Sequence, residues 1–188
     1  MYGRQTGPCV YVTPYNARSL RAVAASTEHH RFMVGTCDVN PCNQIQVLEY
    51  SEDKNRLEAL VSYSHAEQVI DIESSPKDQS LVITSGATAG GTYSLNLWKL
   101  PLIGTLESPD TSEVYSPDMQ ELELMSQMEA DSPPSSLVSC LKWNRKKDVV
   151  LTMGSSILKL WSIGAETQVY GDFNLLRIVP SIHLSFVL

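Results

Sequence analysis

A motif of three consecutive short strands recurs along this chain and constrains the fold more than any other feature. Its clearest copy has an alternating run over residues 69–76 that ends in Ser-Pro, a β-branched run over 80–86 that ends in glycine, and an alternating run over 93–100 that contains Trp98. Alternation of apolar and polar residues predicts half-buried strands, and Ser-Pro and glycine mark turns. The unit is therefore predicted to be a three-stranded meander.

The same order of strands appears twice more. The later copy covers residues 137–144, 148–154 and 157–163, and a partial earlier copy covers 31–36 and 43–50. Leu95-Asn96-Leu97-Trp98 aligns with Leu158-Lys159-Leu160-Trp161, so the tryptophan recurs at the end of the third strand. The chain is therefore built from a repeated β unit.

The repeat is typical of a WD-repeat β-propeller. Its blades have four short strands in roughly 40–45 residues. A blade has two apolar faces and buries them only by stacking on neighbours. The predicted fold is all-β: a partial WD-repeat propeller of about three degenerate, open blades with an acidic loop insert.

Four residues are predicted to hold structural blade positions: His65, Trp98, Trp143 and Trp161. His65 precedes the first strand of its unit, and the tryptophans suit packing between blades better than ligand stacking. WD repeats carry an aspartate in the turn before the third strand, but neither 86–91 nor 154–156 has one. The hydrogen-bond network that links this aspartate to histidine and tryptophan is therefore expected to be incomplete.

The negative charge is concentrated in one segment. The net charge is −7, yet residues 103–136 contain eight acids and no Lys or Arg. Proline, serine and like charges disfavour packed structure, so an exposed insert is predicted, with one strand near 120–128. Ser108, Ser116 and Ser132 each precede proline and are possible phosphorylation sites, although unmodified loop serines are the simpler interpretation.

The composition shift divides the chain into four parts. Residues 1–102 are predicted to form N-terminal blades, 103–136 the acidic insert, 137–163 a further blade, and 164–188 an atypical tail. Because the repeat ends abruptly before that tail, a truncated or alternatively spliced product is one hypothesis for this chain.

Composition and motifs disfavour several function classes. The acidic balance argues against nucleic-acid binding, and the sequence has neither a signal-peptide pattern nor a long apolar run. It also lacks a Gly-x-Ser-x-Gly elbow and a phosphate-binding loop. No enzyme activity, cofactor or metal is therefore predicted. Cys37 and Cys42, downstream of His29-His30, leave a zinc or thiol enzyme as the alternative from another class.

Over residues 1–163, the order of several motifs resembles the N-terminal portion of the EARP- and GARP-complex-interacting proteins, a WD-repeat family. The motifs are Tyr2-Gly3, Ala17-Arg18-Ser19-Leu20, Arg31–Thr36, Asn43–Leu48, Leu95–Pro101 and Glu121–Leu124. The family's Glu-Ile-Trp is replaced by Gln68-Val69-Ile70, the stretch Arg4–Tyr15 is longer, and residues 164–188 do not resemble the family.

This resemblance implies a non-catalytic adaptor in endosome-to-Golgi retrograde transport and endosomal recycling. Its partners would be protein subunits of vesicle-tethering complexes, and its location cytoplasmic, peripheral to the trans-Golgi network and endosomes. An adaptor of a ubiquitin ligase or chromatin complex, and a truncated isoform without function, are the alternatives.

Overall fold

The computed structural model describes residues 7–39, 42–101, 119–128, 137–155, 157–164 and, for the backbone alone, 168–174. The strands are β1 (Ala17–Ala22), β2 (His30–Thr36), β3 (Asn43–Ser51), β4 (Arg56–His65), β5 (Gln68–Ser74), β6 (Leu81–Ala87), β7 (Tyr93–Lys99), β8 (Met119–Glu121), β9 (Glu123–Gln127), β10 (Val138–Trp143), β11 (Val149–Gly154), β12 (Ile157–Ser162) and β13 (Gln168–Asn174). No helix occurs among these described residues.

The strands form three sheets, which we call blades 1, 2 and 3. Blade 1 has the order β1-β2-β3-β4-β8, blade 2 the order β5-β6-β7-β9, and blade 3 the order β10-β11-β12-β13. Neighbouring strands are antiparallel except β8, which runs parallel to β4. The first strands of successive blades, β1, β5 and β10, lie against one another.

A β-bulge recurs at the same place in each first strand. The register skips one residue between Ala17 and Ser19, between Val69 and Asp71, and between Val138 and Cys140. A bulge bends a strand and increases its twist. Its repetition shows that the three sheets are copies of one structural unit, as the sequence repeat predicts.

Two apolar clusters hold the blades together. The first joins blade 1 to blade 2 and contains Met33, Val47 and Tyr63 of blade 1 with Val69, Ile72 and Val82 of blade 2. The second joins blade 2 to blade 3 and contains Ile83, Leu95 and Leu97 with Leu141, Val150 and Trp161. Neighbouring residues Val82 and Ile83 therefore face opposite blades, as alternation along a strand requires.

An N-terminal segment, residues 7–16, lies against the face of blade 1 that points away from blade 2. Asn55 Nδ2 donates to Gly7 O at 3.2 Å, and Tyr11 OH lies 3.5 Å from Gln46 Oε1. Beneath it, Val34 and Leu48 are buried although no blade packs on this side among the described residues. The segment therefore shields apolar surface that would otherwise contact water.

The predicted fold class, an all-β partial propeller with about three open blades, is confirmed. Some details differ from the sequence interpretation. Blades 1 and 2 are completed by β4 and β9, and residues 119–128 carry two short strands instead of one. β13 lies in the part assigned to the atypical tail and pairs with β12. The four-part division of the chain itself remains a prediction.

Candidate functional site

A hydrogen-bonded triad connects blade 1 to blade 2. His65 is the last residue of β4, whereas Thr84 and Trp98 lie in β6 and β7. The Trp98 Nε1–H donates to Thr84 Oγ1 at 2.8 Å, and Thr84 Oγ1 lies 3.3 Å from His65 Nε2. The other ring nitrogen, Nδ1, lies 2.9 Å from Glu67 O.

One assignment of the hydrogens satisfies this whole triad. His65 Nδ1–H donates to the Glu67 carbonyl, the Thr84 hydroxyl donates to His65 Nε2, and Thr84 Oγ1 accepts from the indole. Burial lowers the pKa of His65, which keeps the ring neutral as this assignment requires. The imidazole also packs edge-on against Trp98, with ring centroids 5.4 Å apart.

The pairing of tryptophan with threonine recurs in blade 3. There Trp161 Nε1–H donates to Thr152 Oγ1 at 3.0 Å. In blade 1 the equivalent strand positions hold Leu48 and Val34, which are both buried and cannot form this hydrogen bond. Thr84 and Thr152 were missed by the sequence analysis, although both occupy the same place in aligned second-strand motifs.

Trp143 ends β10 and packs in the apolar cluster between blades 2 and 3. Its Nε1 is buried and has no hydrogen-bond partner among the described residues. The four sequence-predicted blade residues therefore lie at or beside the contacts between blades. His65 and Trp98 lie at the junction of blades 1 and 2, and Trp143 and Trp161 at the junction of blades 2 and 3.

A group of charged residues, which we call the inner seam, joins the first strands of all three blades. Arg21 of β1 contacts Asp71 at 2.8 Å and Glu73 at 3.0 Å, both on β5. Lys142 of β10 lies 3.5 Å from Glu73. Asp71 Oδ2 accepts a hydrogen bond from the Leu141 N–H at 2.9 Å.

Glu73 lies between two positively charged side chains of the inner seam, Arg21 and Lys142. Burial raises the pKa of Glu73, while Lys142 and Arg21 lower it in part. Ser74 extends the seam: its hydroxyl donates to Ala22 O at 3.0 Å and accepts from Ala24 N at 3.1 Å. These groups form hydrogen bonds and ion pairs between neighbouring blades, so their role is to hold the fold together.

The cysteines and serines singled out by sequence form no site among the described residues. Cys37 is half-buried and Cys42 is exposed, and all four cysteines are free thiols. Within the described ranges, no group of three or more His, Cys, Asp or Glu side chains could hold a metal ion. Ser108, Ser116 and Ser132 lie outside the described residues.

An apolar groove of about 370 Å³ lies between the N-terminal segment and blade 1. Its lining includes Tyr11, Leu20, Val34, Leu48 and Leu57. Over the part of the chain that is described, no helix has the length and apolar character needed to cross a bilayer.

The three repeated sheets, together with the threonine–tryptophan pairs of blades 2 and 3, define the described part of the chain as a partial β-propeller of the WD-repeat type. The chain is similar to EARP and GARP complex-interacting protein 1 of Macaca fascicularis, with 27% identity over 83% of its length and 41% of the relative's. The EARP-interacting protein homolog of Danio rerio gives the same identity and coverage. The family resemblance seen in the motifs is thereby confirmed.

Two further comparisons extend this result. The WD repeat-containing protein DWA2 of Arabidopsis thaliana is 26% identical over 84% of this chain and 42% of its own length. A functionally unknown protein from Desulfotomaculum acetoxidans matches 86% of this chain and 43% of its own, with a TM-score of 0.53 and 10% identity, which bears on the fold alone. No family model matches the chain. The chain spans about two fifths of the length of these curated relatives.

Proposed function

We propose that this chain is a non-catalytic adaptor that associates with EARP or GARP vesicle-tethering complexes. The proposal includes a role in endosome-to-Golgi retrograde transport and endosomal recycling, on the cytoplasmic side of the trans-Golgi network and endosomes. The observation that carries it is the similarity, over 83% of the chain, to proteins named for their interaction with these complexes.

The geometry supports an adaptor. The polar groups of the triad and of the inner seam bind other parts of the fold, and Thr84 is fully buried. Blades fixed in this way form a rigid frame, and a rigid frame presents loops and strand edges without a large entropic cost on binding. Partner recognition would then depend on a few exposed anchor residues.

A second candidate is an adaptor of a different complex, such as a ubiquitin ligase or a chromatin complex. The observation that favours it is the Arabidopsis relative, whose name describes a WD-repeat protein and mentions no tether. The two candidates share a fold and differ only in the partner, so partner identity is the quantity to measure.

Affinity purification from cells tests the proposal directly. The tagged chain is expressed beside a tagged full-length relative, and recovered proteins are quantified by mass spectrometry. Recovery of tether subunits with both supports the proposal. Recovery with the relative alone contradicts it for this chain and favours a truncated isoform without adaptor function. Recovery of ligase or chromatin subunits instead supports the second candidate.

A scaffold variant serves as the control for specific recovery. Gly35→Ala places a methyl group against packed atoms of blades 1 and 2, so it is expected to lower recovery of any true partner. Gly7→Ala meets no atom within 4 Å and should leave recovery unchanged. Proteins recovered equally with both variants are contaminants.

A further inference from the structure

The outer edges of blades 1 and 2 are connected by a segment that crosses between them. β8 pairs with β4 over Met119–Glu121, and β9 pairs with β7 over Glu123–Gln127. Leu122, between the two strands, packs against the apolar cluster that joins the blades. The segment is therefore anchored at Leu122 and at the buried Met128, while most of its other side chains are exposed.

Three large apolar side chains of this segment face solvent. Met119 is 54% exposed, and Leu124 and Met125 are each 50% exposed. In β9, Ser126 pairs with Leu97 and Leu124 with Trp98, so Met125 is a bulged residue with no opposite partner. The bulge places two adjacent apolar side chains in solvent. Grouped exposed apolar residues mark interaction sites more often than scattered ones.

The backbone of β9 also offers hydrogen-bonding groups. The Met128 N–H donates to Leu95 O, in register with the antiparallel pairing of β9 and β7. Inward and outward groups alternate along such a strand, so the Gln127 N–H points away from β7. No strand among the described residues pairs with this outer edge of β9.

The negative charge of the segment indicates which kind of strand could pair with the free edge of β9. Glu121 and Glu123 are exposed on either side of Leu122, and residues 103–136 carry eight acids without a Lys or Arg. Two copies of this chain that met edge to edge would bring like charges together, which disfavours self-association. A basic strand would gain attraction along the same edge.

We propose that one surface of this segment binds an extended segment of a partner protein in which Lys or Arg alternates with apolar residues. This surface, which we call the rim surface, consists of Met119, Glu121, Glu123, Leu124, Met125 and Gln127. That segment adds to β9 as a further strand. Backbone hydrogen bonds supply affinity in this mode of recognition, and alternate side chains supply specificity. Methionine has a flexible side chain that adapts to a range of apolar partner side chains. This inference takes one element from the proposed function, namely that the chain binds another protein.

The test uses the full chain and a labelled eight-residue peptide in which Lys alternates with Val. A peptide with Glu in place of Lys is the control probe. Fluorescence anisotropy is expected to show salt-dependent binding of the Lys peptide and at least about tenfold weaker binding of the Glu peptide. No binding of the Lys peptide, or equal binding of both, would overturn the inference.

Variants place the binding on the rim surface. E121K/E123K and L124S/M125S should each weaken binding about tenfold. E28K/D53K makes the same charge change at exposed turn residues outside the rim surface and should retain most of the binding. Q127P removes the outward N–H without removing a bond to β7, and it should also weaken binding. Circular dichroism checks that the fold is kept. Binding unchanged in all three rim variants would overturn the inference.

The same variants separate this inference from the proposed function. If the rim variants lose peptide binding and also fail to recover tether subunits, both ideas are supported. Peptide binding at the rim without any tether recovery by the parent chain contradicts the proposed function alone. Tether recovery by the parent chain without any binding of the Lys peptide contradicts the assignment of this surface alone.

Discussion

The carboxylate of Asp71 accepts a hydrogen bond from the backbone N–H of Leu141 at 2.9 Å, so a side chain of blade 2 satisfies a main-chain donor of blade 3. The other oxygen of the same carboxylate contacts Arg21 of blade 1 at 2.8 Å. A single buried residue thus binds all three blades.

Asp71→Ala should lower the free energy of unfolding by about 2–3 kcal/mol, because it leaves a buried N–H and a guanidinium without their acceptor. Glu52→Ala is the control, since it removes an exposed 3.0 Å contact with His30 Nε2 and should change stability by less than about 0.5 kcal/mol. Urea unfolding followed by tryptophan fluorescence measures both. Equal effects of the two substitutions would contradict the role given to Asp71.

Thr84→Val should be more destabilising than Thr152→Val. The first substitution removes the hydrogen-bond partner of both Trp98 and His65, and the second removes that of Trp161 alone. We expect a loss of about 2 kcal/mol for the first and about 1 kcal/mol for the second. Thr84→Ser keeps the hydroxyl and should retain most of the stability. If serine and valine at residue 84 behave alike, the hydroxyl is not the stabilising group.

Gly35→Ala should destabilise the contact between blades 1 and 2. A Cβ at this position would collide with Ser19 Oγ and Val69 Cγ1, so blade 2 would have to move away. Overpacking of this kind costs about 1–3 kcal/mol. Gly7→Ala, which meets no atom within 4 Å, is the matched control. Thermal unfolding of the two variants beside the parent chain measures the difference, and equal melting temperatures would contradict it.

Stability should fall as the pH falls below about 6.5, through the titration of His65. Burial lowers the pKa of this histidine in the folded chain, so the unfolded chain takes up the proton first. The contribution is fully present above the unfolded pKa and is lost as the pH falls through the folded pKa. His65→Gln should reduce this pH dependence. Urea midpoints at pH 7.5 and 5.5 compare the two proteins, and an identical pH dependence would contradict the assignment.

The repeated strands could be predicted from sequence because their signal is local. β5, β6 and β7, and again β10, β11 and β12, follow from alternation bounded by turn residues. The strand β4 was missed because its long run of mixed residues has no turn signal comparable to Ser-Pro or glycine. The strand β13 was missed because its sequence departs from the repeat and its place depends on pairing with β12.

The contacts between blades were harder to predict. The tryptophans identified the third strands, but threonine at two aligned positions carries no distinctive signal in a β-branched run. The missing turn aspartate indicated an incomplete network, yet Thr84 joins His65 to Trp98 without it. The inner seam depends on how separate sheets face one another, and no pattern within one repeat specifies that relation.

The segment that crosses from β4 to β7 has a mechanical consequence. Because residues 119–128 pair with the outer edges of both blade 1 and blade 2, neither outer edge can be peeled off without also shearing the crossing strands. The described part of blade 3 has no crossing segment of this kind. A pulling force applied beyond β13 would therefore unfold blade 3 first, strand by strand. Blades 1 and 2, which the crossing segment joins, would resist the force together.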